Sequence, residues 1–221
     1  MPAQETRPGA ETSHHSHTQA YYDEFSKGYE RSRGDNDPGG YHELIDDLEV
    51  DFAARYAAGG DLLEVGCGTG LLLRRFTQLT KSARGIDLSP GMLEKARARG
   101  LDVTTGTVLE LPFPDASFDV TCSFKVLAHV EDIERALGEM VRVTRPSGAV
   151  IAEFYNPYSL RGLVKRFGPA GAISASTDAT YCPSTLTRRL FSCAGPTPRF
   201  RMSSDRICAP SVVTSLTPAA M

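Results

Sequence analysis

The stretch Leu62-Leu63-Glu64-Val65-Gly66-Cys67-Gly68-Thr69-Gly70 constrains this chain more than any other. A short apolar run enters a turn in which every second residue is glycine. Leu72, Leu73, Phe76 and Leu79 follow at helical spacing, so the turn opens a helix. Glycines permit positive φ and let backbone pass close to a ligand. A helix N-terminus adds free N–H donors beside it. The loop residues Gly66, Cys67, Gly68 and Gly70 are therefore candidate binding positions. Their spacing is GxGxG, not the dinucleotide pattern GxGxxG. With no dehydrogenase constellation elsewhere, this argues against a nicotinamide-linked oxidoreductase. A glycine loop alone can also be a structural turn, so its surroundings decide. Glu64 stands two positions before the glycines. Asp87 ends the next strand, 21 residues after Gly66, where a carboxylate can accept two ribose hydroxyls. The competing role for Asp87, capping the helix at 90–99, is already filled by Ser89.

Strands and helices alternate along the middle of the chain. Apolar strands are expected at 62–65, 83–87, 101–105, 118–122 and 149–154, with helices between them at 90–99 and 132–142. Pro146-Ser147-Gly148 reads as a turn. Such short alternation predicts an α/β fold: a doubly wound, mostly parallel sheet with helices on both faces. Before it, Leu44, Ile45, Leu48, Phe52 and Tyr56 predict an amphipathic helix over 41–58, ending at Gly59-Gly60. Tyr21, Tyr22, Phe25 and Tyr29 also recur at helical spacing, as core packing or as a lid. Residues 1–19 read as a flexible polar tail, in which His14, His15 and His17 lack an acidic or thiol partner for a metal. After Asn156 the pattern weakens. Basic helices at 159–167 and 184–194 and a strand at 198–207 are expected. A short partner at Ser211–Leu216 would complete an abbreviated C-terminal antiparallel pair.

Composition narrows the function classes. The 221 residues are 41% hydrophobic and 23% charged, an ordinary globular balance. The formal net charge of -3 offers no basic field for nucleic acid, and the absence of Trp offers little stacking surface. Five scattered cysteines form neither a disulfide framework nor zinc spacing, so free thiols in a reducing cytoplasm are expected. The N-terminus has no apolar signal region, and no apolar run reaches the roughly 20 residues of a membrane span.

Four segments in order, LLEVGCGTG, GIDLSPGML, ELPFPDASFDV and RVTRPSGAVIAEF, resemble the successive motifs of class I S-adenosylmethionine-dependent methyltransferases. They are similar to the subgroup that includes quinone-pathway enzymes, over about residues 41–156. The resemblance implies a Rossmann-like fold and S-adenosyl-L-methionine as cofactor. It implies a helical lid region at 20–60 ahead of a cofactor-binding domain at 61–221, with 168–221 irregular. It also implies roles. Glu64 orders the loop and the cofactor's amino group, and Gly66 and Gly68 pass under the methionine and ribose. Asp87 holds the ribose and Leu88 packs on adenine. Phe124 offers a backbone carbonyl to the ammonium. Thr107 stands where the family often has an Asp, with Val108 N–H as donor to the adenine ring. Lys125 and Ala128 stand where some relatives carry metal-binding carboxylates, so no metal is expected, although Glu153 could contribute elsewhere.

Methyl transfer is an in-line displacement in which alignment and a dry site supply most of the help. His129, following the fourth strand, is the candidate general base; Tyr155 and Asn156 come next. Asn156-Pro157-Tyr158 reads as a turn. The acceptor expected is a small molecule, quinone-like, lipid-like or a secondary metabolite. The alternatives are a protein methyltransferase, or a cofactor-binding regulatory or scaffold protein without turnover.

Overall fold

The computed structural model describes residues 18–33, 40–155 and 211–216. The expected tail, the basic helices at 159–167 and 184–194, the strand at 198–207, the turn at Asn156-Pro157-Tyr158 and three of the cysteines lie outside them. In chain order the elements are α1 (18–26), α2 (Tyr29–Ser32), α3 (Tyr41–Ala57), β1 (Asp61–Val65) and α4 (Leu71–Phe76). Then come β2 (Ser82–Asp87), α5 (Pro90–Ala98), β3 (Asp102–Thr105), β4 (Phe118–Ser123), a 3-10 turn at Leu127–His129, α6 (Ile133–Val143), β5 (Thr144–Tyr155) and β6 (Ser211–Leu216). The sheet order is β3-β2-β1-β4-β5-β6. The first five strands run parallel, and β6 pairs antiparallel with β5.

This is the doubly wound architecture that the alternating pattern predicts. Leu62 and Leu63 are both fully buried, because β1 is covered on both faces. Leu62, Val120, Cys122 and Ile151 meet α3, α4 and α5 on one face. Leu63, Val65 and Val150 meet α6 on the other. The caps agree with the local sequence. Ser89 Oγ accepts from Met92 N at the start of α5, with Pro90 at the first helical position. Asp132 caps α6 through Arg135 N. The expected turn at Pro146-Ser147-Gly148 is absorbed into β5 as an irregularity. Thr144 pairs with Phe118, and pairing resumes only at Ala149 with Val120.

Ser211–Leu216 pairs antiparallel with β5 itself; its anticipated pairing with 198–207 lies outside the described residues. Two expectations change. Helix α4 stops at Phe76, which leaves Leu79 exposed outside it. Helix α3 forms as expected, but part of its apolar stripe faces outward, while Phe52 packs against the core. Leu44 is 55% exposed and Leu48 47%, while Asp46, Glu49, Val50, Ala53 and Ala57 face inward. The small residues let the helix sit close on the sheet, and the two carboxylates find cations there.

The N-terminal helices are tied to the body by polar contacts. Asp23 Oδ1 accepts from Ser89 Oγ (2.5 Å) and Gly91 N (2.9 Å). Lys95 Nζ donates to Ser26 O, and Arg99 forks onto Glu30 at 2.7 and 2.8 Å. The Tyr21, Tyr22, Phe25 and Tyr29 rings contact one another in a chain, with Tyr21 57% exposed, so the cluster is an edge-stacked surface more than a core. Among the described residues no helix is long and apolar enough to cross a membrane.

Candidate functional site

The strand order reverses between β1 and β4, and ligands of open α/β sheets bind at the carboxyl ends of strands at such a point. The glycine loop leaves β1 there. Its amides turn inward: Gly66 N and Cys67 N both donate to Ile86 O (2.7 and 3.1 Å), Gly70 N to Cys67 O, and Gly68 N to Asp87 Oδ2 (2.8 Å). These four loop amides are thus engaged within the fold, because the parallel β1–β2 pairing brings the Ile86 carbonyl under the loop. What the loop presents to a ligand is a thin wall of backbone. The Cys67 side chain points into the core, and burial raises its thiol pKa so that it stays protonated.

Two glycines differ in what they require. Gly66 has φ +77°, and an ideal Cβ there would lie 2.2 Å from Val126 Cγ2. Gly68 has φ +53°, and a Cβ there would meet nothing within 4 Å. Gly66 is demanded by the fold, whereas the space over Gly68 is open.

Asp87 closes the other side. Its Oδ1 accepts from Ser89 N (2.9 Å) and its Oδ2 from Gly68 N, which fix the plane of the carboxylate. An ionised carboxylate has about four acceptor positions, so capacity remains for hydroxyl donors. Burial raises its pKa, and the backbone donors work against that shift. Gly106 N donates to Asp87 O (3.0 Å), which brings the Thr107–Val108 segment alongside Asp87 and Leu88. The Thr107 hydroxyl accepts from Leu109 N at 3.2 Å.

At the β1–β4 end, Glu64 is 3% exposed, and its Oε2 has no partner among the described residues. Burial raises its pKa well above the usual carboxylate value, and the nearby Glu49 raises it further. Phe124 is buried, with its ring stacked on that of Phe76. Lys125 takes the left-handed conformation, φ +61°, uncommon outside glycine. Its N–H donates to Glu153 Oε2 (2.8 Å), and its Nζ reaches Glu49 Oε2 (2.8 Å) and Asp46 Oδ1 (3.1 Å). The His129 ring lies edge-on to Tyr22 with centroids 6.1 Å apart. Desolvation lowers its pKa, so the imidazole is neutral at pH 7.

The structure therefore gathers Asp87, Leu88, Thr107 and Val108 at one end of the loop, and Glu64, Phe124 and Lys125 at the other. Asp46 and Glu49 belong to the same group and are absent from the sequence-derived set. No local signal singles them out, since Glu43, Asp47 and Asp51 lie on the same helix. Among the described residues no group of three or more His, Cys, Asp or Glu is disposed to hold a metal ion.

Comparison with known proteins follows the same lines. Residues 63–152 match the family described as a methyltransferase domain. Residues 63–152 are thus similar to class I S-adenosylmethionine-dependent methyltransferases. The chain is 39% identical over 95 residues to a malonyl-acyl-carrier-protein O-methyltransferase of Serratia marcescens, covering 42% of this chain and 37% of that protein. It is 41% identical over 103 residues to a demethylmenaquinone methyltransferase of Renibacterium salmoninarum, covering 45% and 43%. The chain thus spans less than half the length of the curated relatives it matches. In fold it is similar to a magnesium protoporphyrin IX methyltransferase of Synechocystis solved with SAH, at TM-score 0.66 and 19% identity over 92% of this chain and 99% of that one. The residues of this site fit the family's cofactor. The Asp87 carboxylate is fixed with acceptor capacity to spare, the space over Gly68 is open, and the buried Glu64 oxygen lacks a donor.

Proposed function

We propose that this protein transfers a methyl group from S-adenosyl-L-methionine to a small-molecule acceptor, quinone-like, lipid-like or a secondary metabolite. The observation that carries the reading is the Asp87 carboxylate, fixed by Gly68 N and Ser89 N beside a glycine whose Cβ position is open, in a segment that matches a methyltransferase domain. Asp87 would hold the ribose hydroxyls, Leu88 the adenine face, and Thr107 and Val108 the adenine edge. Glu64 and the Phe124 carbonyl would hold the amino-acid end, over the backbone of Gly66, Cys67, Gly68 and Gly70. When bound, the cofactor supplies an electrophilic methyl on a sulfonium.

The chain's own residues then have three tasks. They align the acceptor with that methyl, which can contribute about 7–11 kcal/mol. They exclude water, a task this reading gives to Tyr22 and α1, the Tyr22 ring lying edge-on to His129. They accept the proton the acceptor gives up. His129 is the base in this reading, since its lowered pKa keeps the imidazole neutral and able to take a proton from an O–H, N–H or acidic C–H. Free, buried Cys67 and Cys122 support a reducing, cytoplasmic setting.

Calorimetry tests the reading. Binding of S-adenosyl-L-methionine in the micromolar range and none of NAD is expected; NAD binding alone would overturn it. Binding without methylation of any acceptor would favour a regulatory or scaffold protein. Asp87→Ala is expected to weaken cofactor binding by roughly 1.5–3 kcal/mol, the range for hydrogen bonds to a charged group. Asp87→Asn keeps one carbonyl acceptor and should lose less. Unchanged affinity in Asp87→Ala would remove Asp87 from the site.

A further inference from the structure

Four carboxyl groups converge between the sheet and α3, at the end of β1 where the amino-acid part of the cofactor is assigned. Asp46 and Glu49 come from the inner side of α3. Glu64 alternates with Leu62 on β1, and Glu153 with Ile151 on β5, on the face that α3 covers. Lys125 enters from the turn after β4, bonded to Glu49, Asp46 and Glu153 as described. Arg33 forks onto Asp46 at 2.6 and 2.7 Å and is committed there. Two cations thus face four carboxylates.

Two oxygens of this group have no hydrogen-bond partner among the described residues: Glu49 Oε1 and Glu64 Oε2. Both residues are 3% exposed. A buried acceptor without a donor is costly and uncommon, and once these carboxyls ionise their charge exceeds that of the two cations, which favours a cationic donor. The place is beside the cofactor site, because Val126, next to Lys125, is the residue packed under Gly66.

We propose that Glu49 is a cofactor-binding residue, its free Oε1 receiving, together with Glu64 Oε2, the α-ammonium group of S-adenosyl-L-methionine. Helix α3 then closes the amino-acid end of the site. The inference rests on the cofactor assignment made above. The electrostatics agree. Burial pushes the Glu49 carboxyl up to about 7, with Lys125 opposing and Glu153 and Asp46 adding to the rise. The groups facing it are Asp46 on its own helix, Glu64 on β1, Lys125 after β4 and Glu153 on β5. Without ligand Glu49 is partly protonated at neutral pH, and an arriving ammonium displaces that proton. Affinity therefore rises with pH between about 6 and 7.5, below the range near 7.7–8.0 where an α-amino group itself deprotonates.

The test is calorimetric titration of the full chain with two ligands. One is S-adenosyl-L-methionine. The other is 5′-methylthioadenosine, which keeps the nucleoside and lacks the amino-acid end. In Glu49→Gln the first should bind at least about tenfold more weakly at pH 7.5 while the second changes by less than about twofold, since only the first offers an ammonium. The rise of affinity with pH should flatten in the variant. Equal weakening of both ligands would reduce Glu49 to a structural partner of Lys125 and overturn the proposal, as would unchanged affinity for both. If wild type binds neither ligand, the cofactor assignment itself fails, a distinguishable result. Should Glu49→Gln not fold, Glu49→Asp keeps the charge on a side chain one methylene shorter. It should show the same selective weakening, and weakening of both ligands alike would count against the proposal.

Discussion

Lys125→Met is expected to lower the stability of the unliganded protein by about 3–5 kcal/mol at pH 8, the cost of removing one partner from a buried ion pair. Lys125 is the cation facing Glu49, whose side chain is 4% exposed, and it also reaches Asp46. Methionine keeps the length of the side chain and faces the same left-handed backbone at φ +61°, so the charge is what changes. The loss depends on pH in a defined direction. The folded-state pKa of Glu49 lies near 7, above its ordinary value of 4.5, because burial disfavours the ionised form. A carboxyl raised in this way stabilises the fold while protonated. That contribution is fully present below about 4.5 and is lost as pH rises through about 7. Lys125 limits the rise, so without it the Glu49 pKa climbs further and the loss extends to higher pH. Urea unfolding of wild type and variant should therefore diverge at pH 8 and converge near pH 5. A difference below about 1 kcal/mol at pH 8 would show a pair screened by solvent like a surface bridge.

Gly66→Ala is expected to destabilise the fold by roughly 2–5 kcal/mol. Left-handed backbone costs a non-glycine residue roughly 1–2 kcal/mol, and overpacking adds typically 1–3 kcal/mol. Both apply at Gly66, where the new Cβ would press on Val126 in a turn held by Lys125 and Glu153. Gly68→Ala carries only the first cost, since its Cβ enters open space. The comparison separates folding from binding. Denaturant midpoints should fall further for Gly66→Ala, whereas cofactor affinity should fall in Gly68→Ala with the fold kept. Equal destabilisation of the two would mean that strain alone, and not contact with Val126, decides the requirement at Gly66.

The order of elements was legible in the sequence because the signals are local. Apolar runs of strand length, glycines at alternate positions, Ser89 before Pro90, and Asp87 at the end of the next strand each act within a few residues. They lead to the parallel order and to the switch point between β1 and β4. Glu64 and Asp87 could be named for the same reason, whereas Leu88, Thr107, Val108 and Phe124 were named through the resemblance of the four ordered segments to a known family. The inner face of α3 was not legible. Leu44, Leu48, Phe52 and Tyr56 make the more apolar stripe, yet Asp46 and Glu49 turn inward. Their choice of side depends on Lys125, 76 positions away from Glu49, and on Arg33. Likewise the loop amides meet the Ile86 carbonyl only because β1 and β2 pair in parallel in one register. The sequence by itself determined which segments are strands, turns and helices, since steric and capping preferences act within a turn of chain. Only the tertiary structure decided which charges are buried together, because Asp46 and Glu49 turn inward where Lys125 and Arg33, distant in sequence, meet them.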